Sequence, residues 1–481
     1  MTDLLLVNPL FLNEDAVEQD LMTPYFPLGL LYLAAVVRRS GYGVALYDGM
    51  FAEDPSQFAA ALDRLRPRVV GIETLATVRA NALRLAAMAR RSGAVVVMGG
   101  PDPTCRPETY LQADSRNRGV ADVVACGEAE TTLIELLPPL LEGRRGADLG
   151  DIPGIAFLRP DGAVVRTSER PRIESLDSLP YPARDLLDIE AYRRAWRERH
   201  GYFSLSILTG RGCPYECAWC QKAVFGRTFI QRSPEQVADE MRMLKESFRP
   251  DHLRVVDDVM GIRQDWLDAW QAAVEERDAS IPFECLCRVD LATDRLIETL
   301  KRAGCRRIAF GAESGSQRVL DAMQKGIRVP DIHSAAERCR RHGIDSYFYL
   351  MLGYPGEGWP EIRKTLALLR DARPSAYSVS VAYPLPGTPF FEQVKQDLLR
   401  DSDWSGTAEN RLLFRRRYST RFYRWVQRLM YRVWMLARVR HGEIRAGHSG
   451  WWALRVGWYR LIVEILRRIP QDRARQQEEA P

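Results

Sequence analysis

RGCPYECAWC, residues Arg211–Cys220, sets Cys213, Cys217 and Cys220 at spacings of four and three. Six other cysteines are scattered over 481 residues, and no second close group of three exists. A structural zinc site closes with four ligands, commonly as two cysteine pairs. Here the next cysteines, Cys285 and Cys287, lie far along the chain, and the nearest histidine, His200, precedes the stretch. A four-iron cube held by three thiolates leaves one iron open to a further ligand, which four cysteines would deny it.

Around this stretch the chain alternates strand and helix. FSLSILTG leads directly into the cysteines, and HLRVVDD, FECLCRVD, RIAFGAES, YFYLMLGYP and AYSVSVAYP follow, separated by helical stretches such as Pro234–Ser247 and Leu291–Ala303. Six β/α units predict a partial (β/α)6 TIM-type barrel over 201–391, with its site at the strand C-termini. The cysteines occupy the first such end.

Cys213-x3-Cys217-x2-Cys220 after the first barrel strand, with Trp219 before the last cysteine, resembles the radical S-adenosylmethionine (SAM) superfamily. VVDDVMG, CRVD, FGAESGSQRVLDAMQKG, MLGYPGEGWPEI and YPLPGTPF extend the likeness over the barrel. The resemblance implies a 4Fe-4S cluster on the three cysteines, which act as metal ligands and as the catalytic set. It implies SAM chelated to the open iron and cleaved to a 5′-deoxyadenosyl radical. Asp258, Arg288, Glu313 and Ser314 are the SAM contacts it suggests, and an external donor such as flavodoxin or ferredoxin would supply the electron. Read alone, each of these segments is a strand-end turn with a helix cap.

Upstream, DLLLVNP, GVALYDG, VVGIET, AVVVMGG and ADVVACGE read as five buried strands with helices between them. That pattern predicts a doubly wound, flavodoxin-like α/β domain over 1–145, whose ligands sit at the strand ends. No GxGxxG follows the first strand, which argues against a dinucleotide site. Such a domain before a radical SAM barrel resembles the cobalamin-binding subgroup. The first histidine of the chain is His200, so this domain has none to place on cobalt. A base-off cobalamin and a domain that has lost its cofactor both stay open. For cobalamin, Gly99 and Gly100 permit close backbone approach, and Thr74, Thr104, Gly127 and Glu128 stand at strand ends; as helix caps the threonines would need no ligand. Cys105, Cys126, Cys285, Cys287, Cys305 and Cys339 read as structural thiols. Residues 146–200 read as a linker with a turn at Pro160-Asp161-Gly162.

The composition, 46% apolar and 27% charged, is that of an ordinary globular protein. The start MTDLLLVNPL lacks a basic n-region, and the longest uncharged run, Pro374 to Phe391, holds four prolines. A cytoplasmic protein with reduced thiols is expected. The net charge of +5 is unevenly spread: from Arg411 onward there are 17 arginines and no lysine against five acids, so the rest is net acidic. Region 392–481 reads as helical, aromatic and Arg-rich. Its first apolar arc, Phe414 to Leu436, suits either a helix packed on the barrel or one lying at a membrane surface. No RNA-binding module accompanies it, so nucleic acid is not the expected partner.

The resemblance as a whole implies a cobalamin-dependent C-methyltransferase acting on a small or lipidic substrate. A non-methylating cyclase resembling the anaerobic magnesium-protoporphyrin monomethyl ester cyclase, and a non-catalytic metal- or cobalamin-binding protein, are the alternatives.

Overall fold

Strands β1 (Leu4–Asn8), β2 (Val44–Asp48), β3 (Val69–Glu73), β4 (Val95–Gly99) and β5 (Val123–Ala125) run parallel in the order β2-β1-β3-β4-β5. The computed structural model describes residues 2–112, 119–398, 414–445 and 448–469; parts of the expected C-terminal region, 399–413 and 470–481, lie outside them. β1, β3, β4 and β5 are apolar and buried because helices cover both faces of the sheet. The strand order reverses between β1 and β3, so a crevice opens above their C-terminal ends.

The sheet does not stop near residue 145. β6 (Ile155–Leu158) pairs antiparallel with β5 through Val123↔Phe157, and β7 (Val164–Arg166) pairs with β6 across the turn at Asp161-Gly162. The hairpin read as linker therefore belongs to the first sheet. Its inward residues Ile155 and Phe157 are buried against the helix Glu130–Leu141. After it, the helix Ile189–His200 ties back to the first domain: Tyr192 donates to Asp48 at 2.6 Å and Trp196 Nε1 to the Pro24 carbonyl at 2.9 Å.

The second sheet is formed by β8 (Ser204–Ile207), β11 (His252–Val255), β12 (Phe283–Cys287), β13 (Cys305–Glu313), β14 (Asp345–Leu352) and β15 (Ala376–Val381), all parallel and in chain order. Between β8 and β11, the short strands β9 (Gly210–Arg211) and β10 (Ile230–Gln231) pair antiparallel. Six strands with β8 and β15 unpaired with each other make an open barrel. The expected helix Pro234–Ser247 is found with those bounds: Ser233 caps it, and Pro234 supplies a first-turn position that needs no N–H.

The C-terminal helix starts later than its apolar arc suggested. Phe414 forms an antiparallel bridge with Leu398, and the helix runs Thr420–Arg440 because the Ser419 hydroxyl accepts the Phe422 N–H. Phe422, Tyr423, Val426, Leu429 and Met430 join the barrel core. Gln427 donates to the Val379 carbonyl and Arg438 to that of Ser375, so this helix covers the open edge at β15. This first helix is therefore a barrel-packing element. A second helix, Ser449–Leu466, lies against it. No described helix is long and apolar enough to cross a membrane.

Candidate active site between the two sheets

The loop carrying the three cysteines is clamped at its base. Pairing of Arg211 with Ile230 closes it, and Gly212, at φ +79°, sits so close to the Thr228 carbonyl that a side chain there would overlap it. The Gly212 N–H donates to Asp258 at 3.0 Å. One residue earlier, Asp257 accepts the Thr209 N–H at 2.7 Å and the Thr209 hydroxyl, joining the ends of β8 and β11; burial pushes this carboxyl up to about 7. The middle of the loop is held on both sides: Ala218 donates to the Met323 carbonyl and accepts from the Phe390 N–H, each at 2.9 Å. Gln221 donates to the Pro386 carbonyl at 2.8 Å and reaches Cys105 Sγ at 3.5 Å. Arg172, from the former linker, bonds the Val224 carbonyl.

Cys213 and Cys217 are half-buried and Cys220 is exposed, whereas Cys285, Cys287, Cys305 and Cys339 are buried in the barrel wall. Among the described residues no three His, Cys, Asp or Glu side chains converge on a point where one metal ion would sit. The three thiols are instead spread around one loop, which suits a four-iron cluster in which three irons take one thiolate each. Although part of Cys220 reaches solvent, the loop packed around its sulfur, then the neighbouring Cys217 and Asp258, pushes the free thiol up to about 11. Lys222 counters this, and its buried ammonium has no hydrogen-bond partner among the described residues.

Cys213, Cys220, Lys222 and Asp258 line a cavity of about 290 Å³ whose opposite wall is the C-terminal edge of the first sheet, with Gly99, Gly100, Gly127 and Glu73. An apolar slot of Leu6, Leu30, Leu33, Val97 and Leu133 continues it between the sheet and its helices. Two features bear on a large planar ligand here. Just behind the wall, beside Gly100, the fully buried Thr74 hydroxyl has no partner among the described residues. At Gly29 and Gly99, which line the cavity, an added Cβ would make only ordinary contacts, the nearest at 3.7 and 3.8 Å.

Several expected contacts are otherwise engaged. Glu128 accepts from Arg211 at 3.1 Å and from the Ile173 N–H at 3.0 Å, so its side chain braces the two domains. Thr104 accepts the Gly127 N–H at 3.2 Å and braces two strand-end loops. Ser314 is fully buried, its hydroxyl shared with Thr365 and the Ser316 N–H, so it supports a turn and does not face open space. Arg288 stacks 3.6 Å from the Tyr215 ring, pairs with Asp290 and donates to the Lys325 carbonyl; it positions the cysteine loop. Glu313, at φ +56°, pairs with Lys325 at 3.0 Å, and Lys325 lies 5.0 Å from the Trp219 ring. Gly311 leaves room for that pair.

Residues 207–369 match the radical SAM superfamily and residues 20–137 the B12-binding domain. The chain thus carries a B12-binding domain followed by a radical SAM domain. It is similar to an uncharacterized methyltransferase of Pyrococcus horikoshii, with 28% identity over 82% of this chain and 83% of that one. It is also similar to the anaerobic magnesium-protoporphyrin IX monomethyl ester cyclase of Rubrivivax gelatinosus, with 25% identity over 76% and 66%. Among solved structures, the radical SAM methyltransferase TsrM of Kitasatospora setae, with cobalamin and a 4Fe-4S cluster bound, shares the fold at TM-score 0.67. Its identity is 22%, over 82% of this chain and 75% of that one. The chain is thus an enzyme, and its two domains imply a 4Fe-4S cluster, SAM and cobalamin as cofactors.

Four residues that bear on the site had escaped selection. Arg211 and Tyr215 stand inside the opening motif, and Lys325 lies in the segment likened to the fourth strand and helix. Glu73 ends β3. It lines both the cofactor cavity and a second one reaching into the barrel, walled by Phe26, Leu75, Val256, Ser206 and Arg254. No described residue bonds its carboxyl, and burial pushes it up to about 7.

Proposed function

We propose that this enzyme transfers a methyl group from SAM to a carbon of an apolar small molecule. The observation that supports it is the shared cavity: Cys213, Cys220 and Asp258 face Gly99, Gly100 and Gly127 across it. Cys213, Cys217 and Cys220 would hold the cluster, and Thr74, Gly99, Gly100 and Gly127 would border cobalamin. Asp258 and the Glu313–Lys325 pair, on either side of the cysteine loop, would meet the amino and ribose ends of SAM. When bound, these cofactors supply the electron and the methyl-group chemistry; the chain orients them and excludes water. An external flavodoxin or ferredoxin would be the reductant.

The substrate reading rests on the second cavity. Leu75 and Val256 line it and expose large apolar surfaces. Tyr349, on β14, is another exposed large side chain, near enough to Arg254, Glu284 and Arg307 to feel their charge. Arg254 pairs with Glu284 at 2.9 Å and Arg307 with Glu284 at 3.4 Å, so the floor of the barrel is charge-balanced. An apolar skeleton fits above it.

The test is anaerobic incubation of the reduced, cofactor-loaded enzyme with methyl-deuterated SAM and a cell extract, read by mass spectrometry. The expected product carries the labelled methyl. Formation of 5′-deoxyadenosine with an unlabelled, oxidised product would favour the cyclase reading, which the Rubrivivax relative supports.

A further inference from the structure

We propose that the helix Ser449–Leu466 seats on an anionic lipid surface through Trp451, Leu454, Trp458, Leu461 and Ile465. These five residues recur at spacings of three and four and form one stripe along the helix. All are exposed, Leu454 at 77% and Trp458 at 61%. The opposite face, Trp452, Val456, Val463 and Leu466, is buried toward the helix Thr420–Arg440. The helix therefore has two apolar faces. Packing accounts for one; no described residue covers the other.

The charge around the stripe selects the occupant. On a helix of 3.6 residues per turn, Arg455 and Arg468 border the stripe on its two sides. The Arg455 guanidinium lies 4.5 Å from the Trp451 ring. Arg460 is exposed on the same helix, and Arg421, Arg424 and Arg428 are exposed on the neighbouring one. The single acid of the helix, Glu464, is already engaged by Arg467 and Arg468. A second copy seated on this face would set cation against cation. Anionic headgroups neutralise the arginines while the Trp and Leu side chains enter the acyl boundary, the arginine stems reaching outward. With no helix able to cross a bilayer among the described residues, the helix would lie in the plane of the surface. Seating of this kind requires neither cluster nor cobalamin.

The experiment is vesicle flotation of the full chain with phosphatidylcholine vesicles and with mixed phosphatidylglycerol–phosphatidylcholine vesicles. The chain should float only with the mixed vesicles, and added salt should weaken the binding. The double variants Leu454→Glu/Leu461→Glu and Arg455→Glu/Arg468→Glu should each lose about tenfold or more in binding. The thermal midpoint of Leu454→Glu/Leu461→Glu should be unchanged, because its altered side chains are exposed. Absence of flotation with mixed vesicles, or flotation that neither variant reduces, overturns the proposal. So does a dimer in sedimentation velocity that Leu454→Glu/Leu461→Glu dissociates, since a second copy would then be the occupant.

Discussion

Arg211 and Glu130 form a 2.6 Å ion pair between the strand that opens the cysteine loop and the helix that follows β5, and both side chains are buried. Glu128 adds a second carboxylate at 3.1 Å, and the guanidinium lies 5.3 Å from both the Tyr32 and Phe225 rings. One cation thus fastens the cysteine loop to the wall of the cavity it shares with the first sheet. Arg211→Met leaves two carboxylates buried together. Its unfolding free energy should fall by about 3–5 kcal/mol in urea denaturation of the cofactor-free protein. Adding Glu130→Gln should restore part of that loss.

Gly212→Ala tests the clamp at the base of the loop. A Cβ there overlaps the Thr228 carbonyl, and φ of +79° is strained for alanine. The variant should lose about 2 kcal/mol or more. It should also bind less iron per chain after anaerobic reconstitution, measured by colorimetric iron assay.

Thr74→Val separates ligand binding from stability. The hydroxyl it removes is buried and unpartnered, so the cofactor-free protein should unfold at the same or a slightly higher temperature. If that hydroxyl meets cobalamin, removing it should weaken cobalamin binding by about three- to tenfold, a loss of about 1 kcal/mol. Calorimetry on parent and variant reads both quantities.

Glu73 gives the cofactor-free protein a pH signature. Burial raises its carboxyl from 4.5 to about 7, so the folded chain keeps a proton that the unfolded chain has released. That contribution to stability is complete below 4.5 and is lost as pH rises through about 7. Glu73→Gln stays neutral throughout. It should match the parent in the acid range and exceed it by about 3 kcal/mol near pH 8, read from denaturation midpoints across pH. Asp257, raised by burial in the same way, is present in both proteins and cancels in the comparison.

Both sheets were legible in the sequence because a parallel strand covered on two faces is written as an unbroken apolar run, as in DLLLVNP and AVVVMGG. The helix Pro234–Ser247 announced itself by a serine cap followed by proline. What stayed hidden depends on partners distant in the chain. The strand Ile155–Leu158 looked like linker because its pairing partner β5 lies across an intervening helix. Ser314 looked available because Thr365, 51 residues on, is invisible to local pattern. The partner of Glu128, Arg211, lies 83 residues on and is likewise invisible to local pattern. Phe414 and Tyr418 continued the apolar period of a helix that Ser419 begins after them.

The central claim is that Cys213, Cys217 and Cys220 hold a four-iron cluster with one iron open to SAM. Electron paramagnetic resonance of the reduced, anaerobically reconstituted protein, before and after adding SAM, tests it most directly. The account predicts a 4Fe-4S spectrum that changes when SAM is added, and its loss in each single Cys→Ala variant of the three, while Cys339→Ala retains it. A cluster spectrum indifferent to SAM, or one that survives Cys220→Ala, would contradict it.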